Sequence, residues 1–267
     1  MKKFLPFVLM ILIFTTGCGN QDDDKIKVGT IKYLNVTEDA LDKFSSAPNR
    51  KHIFFNNLSN MTMALQAGQI DEMSIYGSVA KYFVDHNPNF EYILREPVLT
   101  DIFCCAMREK DIALKNEFDA AILQMSKDGT LARLVKKYIA EVHFDDTPPI
   151  IRMPDFYNDS MIKIGVTGDL PMLDYIRPDG LPAGFNTAVL AEISQIIKKN
   201  FVLVQIESGE RAIALTSGEV DVIFWAVVPN GDSNIPDDFD KLSGMIFTQP
   251  YFSDEIVHVR LKNGVTK

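Results

Sequence analysis

The chain has 267 residues, 46% of them hydrophobic and 24% charged, an ordinary globular composition with room for one large or two small domains. Its formal net charge is -9, and no Lys/Arg-rich run follows Lys2-Lys3, which argues against a nucleic-acid partner. His52, His86, His143 and His258 are scattered and show no metal-ligand spacing with the cysteines.

Residues 1–18 read as a targeting segment. Lys2 and Lys3 precede an apolar run, Phe4 to Phe14, too short to remain as a membrane span. The run ends in Thr15-Thr16-Gly17-Cys18, which resembles the lipobox of bacterial lipoproteins. That resemblance implies cleavage before Cys18, diacylglycerol on its sulfur and firm attachment to a membrane by several acyl chains. An ordinary secretory signal with a chance Cys is the alternative. Residues 19–25 read as a solvated tether.

From there strands and helices alternate. "KIKVGT" predicts a buried strand, and "NVTEDALDKF" a helix start with Asn35 and Glu38 spaced as a capping box. "HIFF" is a strand, followed by a helix in "LSNMTMALQAG" with Ser59 as N-cap and Gly68 as stop. "IDEMSIY" is a strand, and "GSVAKYFVDHNP" a helix ended by Pro88. Cys104 and Cys105 read as two buried thiols in a strand, since neighbours there face opposite ways and an unstrained disulfide between them is improbable. Two helical stripes follow, Phe118, Ile122 and Met125, then Leu131, Leu134, Val135 and Tyr138, broken at Lys127-Asp128-Gly129. "DDTPPIIRMP" is the linker candidate.

The second half repeats the plan. "MIKIGVTG" is a strand, and "GFNTAVLAEISQIIKKN" a helix with Phe185, Val189, Ile193, Ile196 and Ile197 on one face. "FVLVQI" is a strand, "ERAIALTSG" a helix and "EVDVIFWAVV" a strand. One phrase occurs twice: Ala64-Leu65-x-x-Gly68-x-Ile70-Asp71 returns as Ala214-Leu215-x-x-Gly218-x-Val220-Asp221. The predicted meaning is a shared corner, in which a left-handed Gly ends a helix and an Ile or Val opens a buried strand. Such βαβ units imply an α/β fold with mainly parallel sheets.

Gly168-Asp169-x-Pro171, Asp179-Gly180, Gly184-Phe185, the second copy of the repeated phrase and Phe247-Thr248-x-Pro250-Tyr251 together resemble the first lobe of the family-3 extracellular solute-binding proteins. These serve ABC importers of amino acids and related polar solutes. Residues 25–139 look like the second lobe and the family's closing helices, with Asp128-Gly129-Thr130-Leu131 as the turn between them. The resemblance covers nearly the whole chain after the leader, but in swapped order. It implies a two-lobed periplasmic-binding-protein fold of type 2, circularly permuted, with each lobe a small mainly parallel sheet and hinge strands between. Two partial tandem copies are the rival. The expected divisions are 26–97 for lobe two, 98–145 for a hinge strand and closing helices on lobe one, 146–160 for a linker and 161–267 for lobe one.

In amino-acid-binding members an Arg and a hydroxyl of lobe one hold the ligand carboxylate, and an Asp of lobe two takes its ammonium group. By position these fall on Lys241, Val228 and Tyr76, so the clamp departs from the pattern at three points. Trp225 and Tyr76 would face each other across the cleft and stack on a ligand, or else belong to the core. Leu170 and Tyr175 would form cleft wall, and Asn35 and Thr37 would offer backbone amides to an anion. The resemblance implies a monomeric, lipid-anchored, extracytoplasmic binder of a small polar solute, an amino acid or related compound, with an ABC permease as partner. It implies no catalytic residues, metal or cofactor. A sensory or scaffolding lipoprotein is one alternative. A dehydratase-like enzyme is another, with Asp169, Asp174 and Glu210 as the nearby acids.

Overall fold

The structure is a computed structural model describing residues 25–44, 49–95, 99–142, 149–157, 161–229, 235, 236 and 238–262. The leader, Cys18, residues 19–24 of the tether and parts of the linker lie outside the described residues.

Three parallel strands begin lobe two: β1 (Ile26–Ile31), β2 (Arg50–Phe55) and β3 (Glu72–Tyr76). Helices α1 (Glu38–Phe44), α2 (Leu58–Gln66) and α3 (Gly77–His86) follow the three strands in turn. A short strand, β4 (Phe90–Ile93), leads to the long β5 (Thr100–Arg108) of lobe one. Helices α4 (Ile112–Lys127) and α5 (Thr130–Val135) come next, the latter continuing through residues 136–140 as a wider π-type turn.

The remainder of lobe one begins with β6 (Met161–Val166). A three-stranded flap follows, made of β7 (Asp169–Leu170), β8 (Asp174–Ile176) and β9 (Pro182–Ala183). Then come α6 (Phe185–Ile197), β10 (Asn200–Gln205), α7 (Arg211–Ser217), β11 (Val222–Pro229), β12 (Met245–Phe247) and β13 (Phe252–Leu261).

The main path of strands runs β10-β6-β11-β5-β13-β3-β1-β2. Strand β13 joins the lobes. Its first residues pair with β5, Phe252 opposite Phe103 through Glu255 opposite Thr100, and its later residues pair with β3 and β4. The two strands that cross between the halves therefore lie side by side.

The repeated phrase closes its helix with the same hydrogen bond in both places: Gly68 N–H donates to the Leu65 carbonyl and Gly218 N–H to the Leu215 carbonyl, with both glycines in the left-handed region between helix and strand. Asp71 then accepts from Lys27 N–H at 2.9 Å while its own N–H donates to the Lys27 carbonyl. Asp221 does the same with Lys163, its carboxylate accepting at 3.0 Å. Each aspartate ties the start of a new strand to its parallel neighbour, so the phrase carries the architecture of a lobe.

Helix α6 buries Phe185, Val189 and Ile193 on the face that its spacing predicts. Phe118, Ile122 and Met125 of α4 are buried too, and Phe118 stacks on Phe201 of β10 at 5.6 Å. The two cysteines are buried in β5 and unbonded, and burial pushes the Cys104 thiol up to about 12. Two caps differ from the sequence expectation. Asn57, not Ser59, caps α2, its side chain accepting from Asn60 N–H, because the helix opens at Leu58. At α1 the cap is Thr37, accepting from Ala40 N–H, while Glu38 turns across to Phe54 N–H.

Candidate functional site: the seam between the lobes

The C-terminal ends of β1, β2 and β3 and the loops after β6, β10 and β11 meet where the two sheets face each other. Open α/β sheets present ligand sites at such ends. The residue at the centre of the seam is Arg211, the first of α7. Ala214 and Leu215 of this helix face the core, and position 211 lies one turn back on the same side. The guanidinium is thereby carried inward and is only 1% exposed.

Arg211 donates to three carbonyls: Ser208 at 3.2 Å, Trp225 at 2.6 Å and Lys32 of the opposite lobe at 2.8 Å. Its guanidinium also lies 4.3 Å from the centre of the Trp225 ring. Trp225 reaches that position through a bulge. The β11–β5 register slips between Phe224 and Ala226, and Trp225 adopts φ +84, a left-handed conformation costly for a bulky residue. The strain turns both its carbonyl and its indole toward Arg211.

Aspartates surround this cation. Asp240 is 1% exposed, and its Oδ1 accepts from Asn35 N–H at 2.9 Å across the seam. Burial raises its carboxyl to about 6, although the Asn35 N–H and Arg211 pull it down. Asp169 caps the start of α2 from the other lobe, its Oδ2 accepting from Leu58 N–H at 2.7 Å. Asp174 holds the loop after β6 through Thr167 N–H and Oγ1, and burial raises it to about 6. Asp101 accepts from Tyr76 Oη at 3.1 Å, and burial pushes it up to about 7.

Four atoms of this neighbourhood are buried with no protein partner: Trp225 Nε1, Ser208 Oγ, Asp169 Oδ1 and Asp240 Oδ2. Each such group carries a desolvation cost until something satisfies it. A cavity of about 330 Å³, open mouth included, is bordered by Tyr33, Tyr76 and Leu170.

Tyr76, Trp225 and Leu170 come together here, Tyr76 meeting Trp225 edge to face with ring centres 5.7 Å apart. Tyr175 is half-buried on β8, paired with Asp169 and Ala183. Val228 is half-buried in β11, opposite Ile102. Lys241 has an exposed side chain, and its carbonyl accepts from Asn35 Nδ2 at 3.2 Å. The Asn35 N–H, one of the amides expected to meet an anion, is held by Asp240, and Thr37 spends its hydroxyl on the cap of α1.

Sequence reasoning passed over Arg211, Asp240 and Asp101. A signal existed for the first: Arg211 occupies the register of Met61, a fully buried apolar residue of α2 in the other copy of the repeated corner. Asp240 and Asp101 stand in no repeated pattern, and only the packing of one lobe on the other buries them.

Residues 162–266 match the family model described as bacterial extracellular solute-binding proteins, family 3. The ABC transporter glutamine-binding protein GlnH of Bacillus subtilis (strain 168) is 26% identical over 95 residues, 36% of this chain and 34% of that protein. The matched stretch thus spans about a third of the relative's length. Among solved structures, the ligand-binding component of an ABC-type import system from Staphylococcus aureus, with zinc bound, aligns at TM-score 0.43 and 13% identity. That alignment covers 89% of this chain and 66% of that one. A mutant regulatory domain of OxyR2 from Vibrio vulnificus, sulfate-bound, aligns at 0.42 and 11%, covering 90% and 88%. Prephenate dehydratase in complex with L-Phe from Arthrobacter aurescens aligns at 0.40 and 12%, covering 91% and 62%. The likeness to the bacterial extracellular solute-binding proteins of family 3 thus rests on residues 162–266 of the chain.

Proposed function

We propose that the chain is a solute-binding protein of an ABC importer, taking a small polar solute at the seam between its lobes. The observation that carries this reading is the set of orphaned polar atoms around Arg211, two donors or hydroxyls and two carboxylate oxygens. A solute with both an acceptor and an ammonium group matches them, which favours an amino acid or a related amine over a simple anion. Tyr76 and Trp225 supply aromatic walls. In this reading the protein works outside the cytoplasm with a permease as partner, and a lipid anchor at Cys18 would hold it at the membrane. Binding, not catalysis, is the role of these side chains.

The family's lobes stand here in permuted order, in our reading. Val259 is level with Met73, and Met73 with Gly29, so the end of β13 and the start of β1 lie two strands apart, roughly 10 Å. A short connection would join them, with the present linker bridging the family's usual ends. Helices α4 and α5 pack on α6, as closing helices on lobe one would.

A second reading has its own support. Two lobe-two N–H groups at the seam are held by the chain's own aspartates, Asn35 N–H by Asp240 and Leu58 N–H by Asp169. A lipoprotein that keeps its lobes shut without a solute would serve as a sensor or scaffold.

Thermal melting of the full chain against amino acids, amines, dicarboxylates and aromatic acids separates the two, with Trp225 emission as a local reporter. A transport receptor shows a dose-dependent rise in Tm and a change in emission with at least one of them. No response across the panel favours the sensor or scaffold.

A further inference from the structure

Lobe two carries a second chamber on the face of its sheet that α1 covers. Two cross-strand rows make its floor. Thr30, Ser74 and His258 stand side by side on β1, β3 and β13, and behind them His52, Val28 and Glu72 on β2, β1 and β3. A buried sheet face with this many polar groups is unusual, and α1 closes it incompletely, since none of its residues is buried. The space left is about 610 Å³, open solvent at its mouth included.

The two carboxylates near this floor are already engaged. Asp42 Oδ1 accepts from His52 N–H at 2.9 Å and faces His52 Nδ1 at 2.6 Å. Glu72 is gripped by Arg95 and faces His258 Nδ1 at 3.0 Å. Apart from Glu72 Oε2 and His258 Nδ1, which face each other without a hydrogen bond, the unmatched groups are donors: Arg50 Nε, Arg95 Nε and the hydroxyl of Thr30, which is 6% exposed, are buried with no partner. The walls beyond them are apolar, from Leu41, Phe44, Leu99 and Ile256.

We propose that this chamber binds a small carboxylic acid with an apolar body, its carboxylate held by Arg50 and Thr30 and its hydrocarbon against α1 and Leu99. A guanidinium offers paired N–H groups to a carboxylate, and the unpaired donors gain the acceptor they lack. The chamber adjoins the cavity at the Arg211 seam, and the two share Thr30, Tyr33, Ser74 and Ile256 at their boundary. The proposal does not depend on what the seam binds.

Calorimetric titration of the full chain with benzoate, phenylacetate and hexanoate tests it, with benzyl alcohol as the uncharged control. At least one acid binds and the alcohol does not. Arg50→Gln weakens binding by about 10- to 100-fold, the loss expected for a charged hydrogen-bonded pair. Arg50→Lys and Thr30→Val weaken it less, and all three variants melt near the parent temperature. Absence of binding by all three acids overturns the proposal, as does an acid whose affinity is the same in Arg50→Gln and Thr30→Val as in the parent.

Discussion

Trp225 shows how much of the seam depends on single side chains. Its left-handed backbone costs roughly 1–3 kcal/mol, and the stacking of Arg211 and the packing of Tyr76 and Phe103 offset that cost. Trp225→Phe keeps the strain and loses the indole. It is expected to destabilise the protein by about 1–3 kcal/mol in urea unfolding, and a variant as stable as the parent would contradict the assignment. The buried carboxyls give a second expectation. Asp101 is raised to about 7 and Asp174 and Asp240 to about 6, so the folded chain keeps protons that the unfolded chain has released. Stability from these groups falls as pH rises from about 4 to 7. Glu72, lowered to about 2, and His52, lowered by burial, act in the other direction, their contributions lost as pH falls through about 4 and about 6. The aspartates prevail above pH 5: the urea midpoint should be higher at pH 5 than at pH 8, and Asp101→Asn should flatten the difference. A midpoint that climbs from pH 5 to pH 8 would refute this.

Among the elements, the repeated corner was legible in the sequence because its information is local. A glycine with positive φ, a buried Ile or Val and an aspartate tied to the next strand are fixed by spacing alone, and Gly68 and Gly218 bear the same conformation. The apolar faces of α4 and α6 were legible for the same reason. Caps were harder, since Asn57 and Ser59 are both good capping residues two positions apart and the chain's entry into α2 decides between them. Hardest were residues whose environment is made by the other lobe. Asp169 sits in a motif visible in the sequence, yet its contact with Leu58 N–H spans 111 positions. Asp169→Ala removes the charged cap from α2 and a tie across the seam. A loss of about 1 kcal/mol is expected, together with faster hydrogen exchange at the first turn of α2. Unchanged exchange there would count against the tie.

As a whole, the molecule is two α/β lobes whose sheets are joined through β13, with the chain's own polar side chains filling the gap. The permuted order proposed above has a direct consequence for this architecture. A chain reordered as 161–262, a short linker and 25–142 should fold, melt cooperatively and give the same near-ultraviolet spectrum from Trp225, since its new junction spans only two strands. A reordered chain that fails to fold would favour two independent partial copies. The closed seam is the central feature of the molecule, and small-angle scattering of the parent beside the Asp169→Ala/Asp240→Ala double variant examines it most directly. The parent should scatter as the closed two-lobed structure, and the double variant should have a larger radius of gyration while keeping its secondary structure. A parent that already scatters as two separated lobes, with no further expansion in the double variant, would contradict it.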